Sequence, residues 1–344
     1  MERLTDQLRE RRDLPDEGLR ELLESDDEDL VRHLHESARE VAESVFGRAV
    51  YLRALIEWSN VCRNDCLYCG IRKSNGKIGR YTLSHEEILQ CCDSAFKAGL
   101  RTFVLQGGEN PAAAEKLSGV IAEIKASWPS CAVTLSLGEL PRETYALLRR
   151  SGADRYLLRH ETADGRHYSL LHPQEMSLAN RLDCLRTLKE LGYQTGTGIM
   201  VGSPFQTTGT LIRDIRFIQG FRPEMIGIGP FVPQKDTPFG EYPHGSADLT
   251  LRLYSILRLM LPKALIPSTT ALSTVIGRGR MDGILAGANV IMPVFTPEYR
   301  RNAYKLYEGK VGTDLSGQLD EIKQEMESIG YTLSPGRGDY NENL

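Results

Sequence analysis

The stretch Val50-Tyr-Leu-Arg-Ala-Leu-Ile56-Glu57-Trp-Ser-Asn60-Val-Cys62-Arg-Asn-Asp-Cys66-Leu-Tyr68-Cys69 joins a nearly continuous apolar run to a cysteine-bearing loop. A short apolar run that stops abruptly in polar residues reads as a parallel strand buried on both faces, followed by its loop. A helix is expected to start beyond it at Ser84, whose hydroxyl can cap the first turn while Glu87 reaches back in a capping box. Strand, loop and helix make one β-α unit.

The alternation continues along the chain. Further strands are expected at 102–106, 132–137, 155–159, 194–200, 225–229, 265–267 and 289–292, with helices such as 111–126, 177–191 and 249–261 between them. Eight β-α units with crossovers of even size predict an α/β fold, a closed (β/α)8 TIM barrel. The last two strands are short, which leaves a six-strand open barrel as the competing architecture. Residues 1–46 read as charged helices whose Leu19, Leu22, Leu23, Leu30, Leu34 and Val41 recur at helical spacing, a cap on one end of the barrel. The barrel is expected over 47–312 and a helical C-terminal extension over 313–344.

A net charge of -4 offers no basic field for a nucleic-acid backbone. The N-terminal residues carry no apolar signal region, and no stretch approaches the roughly 20 apolar residues that span a bilayer, so a cytoplasmic protein is expected. Seven cysteines is an odd number, and Cys91, Cys92, Cys131 and Cys184 have no framework spacing; buried thiols are expected there rather than disulfides.

Cys62, Cys66 and Cys69 are different. Structural zinc takes four closed ligands, and this loop supplies three sulfurs with no histidine nearer than His85. Three thiolates can hold three corners of a [4Fe-4S] cube and leave its fourth iron open. Such an iron can bind the amino and carboxylate groups of S-adenosylmethionine, whose reductive cleavage yields a 5'-deoxyadenosyl radical. The three cysteines with Tyr68 before the last resemble the radical-SAM signature.

In a barrel of this kind the site lies at the carboxyl ends of the strands. Polar residues and glycines collect there. Gly107 and Gly108 would let backbone groups approach a ligand, and Glu109 could pair with an ammonium, although glycines also make ordinary turns. Glu161 can accept from ribose hydroxyls, and Arg181 can clamp a carboxylate or lie on a helix surface. Alternation sends Arg159 and Glu161 inward and His160 away. Thr269 and Thr270 could hold an anionic or cyanide-like group or simply cap a strand end. Tyr304 and Tyr307 would share a face if helical, and either close the barrel mouth or belong to the core.

The segments Gly152-Ala-Asp-Arg-Tyr-Leu-Leu-Arg-His-Glu-Thr162, Val133-Thr-Leu-Ser-Leu-Gly-Glu139 and Gly287-Ala-Asn-Val-Ile-Met-Pro293, with the cysteine loop, closely resemble the HydE family of [FeFe]-hydrogenase maturases over about residues 45–312. The resemblance implies Cys62, Cys66 and Cys69 on one [4Fe-4S] cluster, with Glu161 and Arg181 on S-adenosylmethionine. It implies Thr134, Ser136, Arg159, Thr269, Thr270, Met292, Tyr304 and Tyr307 around the substrate. That substrate would be a cysteine-bound Fe(II) carbonyl cyanide supplied by HydG, converted towards the Fe(I) unit of the diiron subcluster on the maturation scaffold. Some family members carry three more cysteines near the C-terminus for an accessory cluster; Val311-Gly-Thr-Asp-Leu-Ser-Gly317 and the helix after it have none, so a single cluster is expected. A carbon-skeleton mutase resembling 3-methylornithine synthase and a non-catalytic iron carrier are the alternatives. Biotin synthase would need further cysteine ligands for a second cluster.

Overall fold

A computed structural model of the chain describes residues 4–307 and 315–342. Its strands, in chain order, are β1 (Ala49–Leu52), β2 (Ala54–Ser59), β3 (Thr102–Gly107), β4 (Ala132–Ser136), β5 (Arg155–Leu157), β6 (Gln194–Thr197), β7 (Met200–Val201), β8 (Met225–Ile226), β9 (Gly229–Pro230), β10 (Val290–Ile291) and β11 (Thr332–Ser334). β2, β3, β4, β5, β6 and β8 pair in that order, each with its neighbour in parallel. Single bridges Met225↔Leu265 and Pro267↔Val290 carry the ladder through 265–267, β10 pairs with β1, and Leu55↔Val294 returns it to β2. The circuit closes, so the barrel is eight-stranded and the open six-strand alternative is excluded.

Three of the expected strands are interrupted, each for a visible reason. The 194–200 run parts into β6 and β7 at Gly198, and the run from 225 parts into β8 and β9 at Gly227. Here the two backbones touch: a Cβ on Gly198 would lie 1.8 Å from the Gly227 carbonyl oxygen, so no side chain fits between them. The first strand breaks at Arg53, whose guanidinium turns into the barrel base and donates to the Gly338 carbonyl at 3.2 Å.

That break also changes partners. Above Arg53, β2 pairs with β3; below it, the same edge of the sheet pairs with β11 from the C-terminal segment. The extension is therefore not helical throughout: after a helix, Leu315–Ser328, it contributes β11 and a tail across the barrel base. There Arg155, fully buried, donates to the Arg337 carbonyl at 3.0 Å and pairs with Asp339. Buried guanidinium groups need such partners, because an unpaired charge away from water is costly.

Outside the barrel, the helix His85–Lys97 begins at Ser84 with both halves of the capping box in place. Helices Pro111–Ser127, Leu178–Glu190 and Ala247–Met260 cover the sheet close to their expected bounds. The N-terminal helices Leu4–Arg11, Asp16–Glu24 and Glu28–Phe46 bury Leu8, Leu19, Leu22, Leu34 and Val41. They lie on the flanking helices Thr208–Phe221 and Ala247–Met260, where Arg12 donates to the Leu259 carbonyl and Arg216 pairs with Asp13 and Asp16. No described helix is long and apolar enough to cross a membrane. All seven cysteines are free, and Cys91, Cys92, Cys131 and Cys184 are buried.

Candidate active site

At the carboxyl ends of the strands the barrel encloses a cavity of about 330 Å³. Cys62, Cys66, Cys69 and Tyr68 line one part of it; Gly107, Gly108, Glu109, Ser136, Arg159, Glu161, Arg181, Thr269, Thr270, Met292, Tyr304 and Tyr307 are among the other lining residues. A cleft of about 850 Å³ opens at the other end, near Lys189, Arg222 and Lys263. Its two lysines are occupied by carbonyls: Lys189 Nζ donates to the Arg222 carbonyl at 2.7 Å, and Lys263 reaches that of Glu342. The strand-end cavity holds the convergent chemistry.

The loop after β2 is held from both sides. Asp65 accepts from Arg72 Nε at 2.6 Å and from Ser74, while Asn60 donates to the carbonyls of Gly79 and Ala303 at 2.8 Å. Gly107 and Gly108 are required by this loop: a Cβ on Gly108 would lie 2.5 Å from the Val61 carbonyl oxygen, and one on Gly107 would lie 2.4 Å from Trp58 Nε1. Close packing of the chain against itself is thus a further reason for these glycines, beside the expected room for a ligand in the cavity they line.

Burial raises all three thiols. Cys69 goes to about 12, Cys66 well above its ordinary value with Cys69 adding to the effect, and Cys62 upward. A bare thiolate is unfavourable here, so the deprotonated form needs a metal to hold it. Among the described residues no three His, Cys, Asp or Glu side chains gather around a single ion, yet these three sulfurs face one cavity. A donor set of this kind fits a polynuclear cluster.

Opposite the thiols, Glu161 has a left-handed backbone, φ +65°, which a residue with a side chain rarely adopts. The surrounding ladder enforces it: the Glu161 N–H donates to the Gly198 carbonyl at 3.1 Å and the residue bridges to Ile199. Arg159 Nη2 lies 2.9 Å from Glu161 Oε2, but the angles are not those of a hydrogen bond. Arg159 Nε and Nη2, Glu161 Oε2 and Thr269 Oγ1 are all buried without hydrogen-bond partners. Such atoms are uncommon in folded proteins, and their clustering in one cavity marks positions that a ligand satisfies.

Not every residue stands where it was expected to act. Glu109 already uses both oxygens, accepting from Arg63 Nε at 2.8 Å and from the Glu139 N–H at 2.6 Å, so an ammonium would have to share them. Arg181 is no surface residue: Nε donates to Glu139 Oε1 at 2.6 Å and Nη1 to the Arg159 carbonyl at 3.0 Å. Thr134 does not reach the cavity; it lies in the layer below Ser136 on β4, 3.5 Å from Arg155. Tyr304 and Tyr307 follow the short helix Glu298–Arg301 and are not helical, but both line the cavity. Tyr304 accepts from Gln106 Nε2 at 3.3 Å, and the Tyr307 and Thr270 hydroxyls are 2.6 Å apart. The 311–314 part of the cysteine-free segment lies outside the described residues.

Several supporting groups were invisible in the sequence. His172 sits edge-on to Tyr68, with Nε2 3.1 Å from its hydroxyl and Nδ1 2.9 Å from the Tyr168 carbonyl. Burial lowers the His172 pKa to about 3, so the ring is neutral and accepts from Tyr68. His160, sent outward by alternation, packs on Phe217 with Nδ1 2.8 Å from Thr197 Oγ1. Its neighbour Asp214 is fully buried, accepts from the Ala163 N–H at 2.5 Å, and is pushed up to about 7 by burial. Met176 Sδ lies 3.8 Å from Cys66 Sγ, and Glu139 accepts from both Asn180 and Arg181.

A three-cysteine loop after the first strand of a closed (β/α)8 barrel, facing the charged groups Arg159, Glu161 and Arg181 at the strand ends, defines a radical SAM enzyme. The model of the Radical SAM superfamily matches residues 56–218. The [FeFe] hydrogenase maturase subunit HydE of Thermotoga maritima is 46% identical over 303 residues, 88% of this chain and 86% of that protein. The chain belongs to the HydE family. The 3-methylornithine synthase of Methanosarcina acetivorans is 29% identical over 94% of this chain and 91% of its own length. A solved methylornithine synthase superposes with a TM-score of 0.86 at 27% identity, covering 96% of this chain and 97% of that one.

Proposed function

We propose that this chain acts in [FeFe]-hydrogenase maturation on a cysteine-bound Fe(II) carbonyl cyanide supplied by HydG: as the substrate's sulfur bonds to the carbon of an adenosyl radical, its bond to iron breaks and leaves one electron on the metal, giving the Fe(I) unit of the diiron subcluster for the maturation scaffold. When bound, a [4Fe-4S] cluster and S-adenosylmethionine supply a 5'-deoxyadenosyl radical. Cys62, Cys66 and Cys69 hold that cluster, the chain's single one. Tyr68, Gly107, Gly108, Glu109, Glu161 and Arg181 bind S-adenosylmethionine, with Glu161 accepting from ribose hydroxyls.

The observation that carries the reading is the pair of buried donors without hydrogen-bond partners, Arg159 Nε and Thr269 Oγ1, on the cavity wall, beside Arg159 Nη2, which is ion-paired with Glu161. They suit the carboxylate of a cysteine and the cyanide nitrogen, both acceptors. Ser136, Thr270, Met292, Tyr304 and Tyr307 enclose the substrate, and Thr134 buttresses Ser136 from the layer below. The likeness to methylornithine synthase supports a second reading, a carbon-skeleton mutase on lysine. A lysine ammonium needs an available carboxylate, and of the two acids lining the cavity Glu109 is engaged by Arg63 and Glu161 faces Arg159.

The test is anaerobic. Reconstituted enzyme with dithionite, S-adenosylmethionine and the iron substrate should cleave the cofactor, and Cys66→Ala should lose both cluster absorbance and cleavage. Conversion of lysine to methylornithine instead would favour the second reading. A fully loaded cluster that never cleaves S-adenosylmethionine with the iron substrate present would mark a carrier.

A further inference from the structure

Two charges assigned to S-adenosylmethionine stand on different parts of the barrel. Glu109 follows β3, whereas Arg181 lies in the helix Leu178–Glu190, beyond β5. Between β3 and β5 in the sheet runs β4, and the turn that leaves it, Leu137-Gly-Glu139-Leu140, touches both charges. The Glu139 N–H donates to Glu109 Oε2 at 2.6 Å, and Glu139 Oε1 accepts from Arg181 Nε at 2.6 Å. Its second carboxylate oxygen takes the Asn180 amide. One residue thus holds an acid by its backbone and a guanidinium by its side chain.

The turn itself has little freedom. Gly138 sits at φ +78°, the Tyr156 hydroxyl donates to its carbonyl at 2.9 Å, and the Tyr145 hydroxyl accepts from the Leu140 N–H at 3.0 Å. Glu109, Glu139 and Arg181 are 5%, 6% and 8% exposed, so water scarcely screens the contacts among them. Glu109 and Arg181 line the reaction cavity, whereas Glu139 borders an outer cleft with Arg63 and Asp65. Any effect of Glu139 on a ligand in the cavity therefore passes through its two partners.

The ammonium and the carboxylate of an amino acid branch from one carbon. An acid and a base that receive them together must keep a fixed separation, and groups on two independent loops would lose binding energy to their own motion. We infer that Glu139 is the positioning residue for the amino-acid end of S-adenosylmethionine, setting the spacing of Glu109 and Arg181 without touching the cofactor. The inference rests on the cofactor-binding roles proposed for those two residues. It adds the link that makes them one receptor.

The experiment is calorimetry on reconstituted holoenzyme with two probes, S-adenosylmethionine and 5'-deoxyadenosine, which lacks the amino-acid end. Glu139→Ala should weaken S-adenosylmethionine on the order of tenfold or more and leave 5'-deoxyadenosine within about twofold of wild type. Glu139→Gln keeps an accepting oxygen for Arg181 Nε and should recover part of the loss; compared with wild type, it carries the test if the alanine variant does not load its cluster. Arg181→Met is the reference. If Arg181→Met loses affinity for S-adenosylmethionine while the Glu139 variants bind it as wild type does, the positioning inference is overturned. Equal loss of both probes in the Glu139 variants overturns it too, since that marks a general disturbance of the site. If Arg181→Met itself binds S-adenosylmethionine as wild type does, the role proposed for Arg181 falls, and the inference falls with it.

Discussion

Glu161 and Thr269 show how single residues in this barrel trade local comfort for availability. A hydroxyl buried without a partner costs about 1–3 kcal/mol. Thr269→Val keeps the shape and removes the unpartnered oxygen, so urea denaturation should find the variant as stable as wild type or slightly more so. If Thr269 donates to substrate, affinity should fall roughly tenfold, the loss of one hydrogen bond. Gly138 makes the opposite case: at φ +78°, with Glu109 Oε2 2.3 Å from where a Cβ would sit, Gly138→Ala has to displace the Glu109 carboxylate. A loss of about 1–3 kcal/mol is expected from the strained backbone alone, with weaker S-adenosylmethionine binding by calorimetry. Alternation in the sequence was enough to turn Arg159 and Glu161 inward and His160 outward. It could not show that Glu161 sits in a left-handed turn, because that conformation is imposed by the Gly198 carbonyl from the next strand.

Among the elements, the turn after β5 is secured by a helix distant in sequence. Asp214, in Thr208–Phe221, accepts from the Ala163 N–H, while Oδ1 stands 3.9 Å from His160 Nε2. Burial favours the neutral form of each, raising Asp214 to about 7 and lowering His160 to about 3. The signs oppose. An acid with a raised pKa makes folding less favourable as pH climbs from its unfolded value near 4 towards 7, whereas a histidine with a lowered pKa makes folding more favourable from about 3 to 6.5. Asp214→Asn removes the falling contribution and keeps the rising one. Its stability, measured by urea midpoint at pH 5 and pH 7.5, should therefore increase more with pH than that of wild type. Helix positions and caps such as Ser84 with Glu87 were legible because they depend on neighbours in sequence. The Asp214 contact depends on residues about fifty positions apart, and nothing local announces it.

For the whole molecule, the barrel base is completed by the far end of the chain. Arg155 is fully buried and relies on Arg337 and Asp339, while Arg53 donates to Gly338. Asp339 is partly exposed, which moderates its worth, so Asp339→Ala should cost about 1–3 kcal/mol. Replacing Arg155 by Met in that background should recover part of the loss, because the uncompensated charge goes with it; thermal midpoints of the two single variants and the double variant decide the matter. An eight-strand count followed from the repeated β-α rhythm. The tail across the base did not, since 335–342 has no regular periodicity and its contacts, the carbonyls of Arg337 and Gly338 and the carboxylate of Asp339, reach residues far away in sequence.

The pairing of β1 with both β10 and β11 has a consequence for synthesis. Residues 49–52 leave the ribosome early, but the strands that cover their edges lie at 290–291 and 332–334. Until those arrive, the first strand presents open hydrogen-bonding edges to every other nascent chain nearby. Folding in the cell is thus gated by the arrival of residues 290–291 and 332–334, and a product that stalls or is cut before them would be expected to enter aggregates rather than persist as a smaller, partly active barrel.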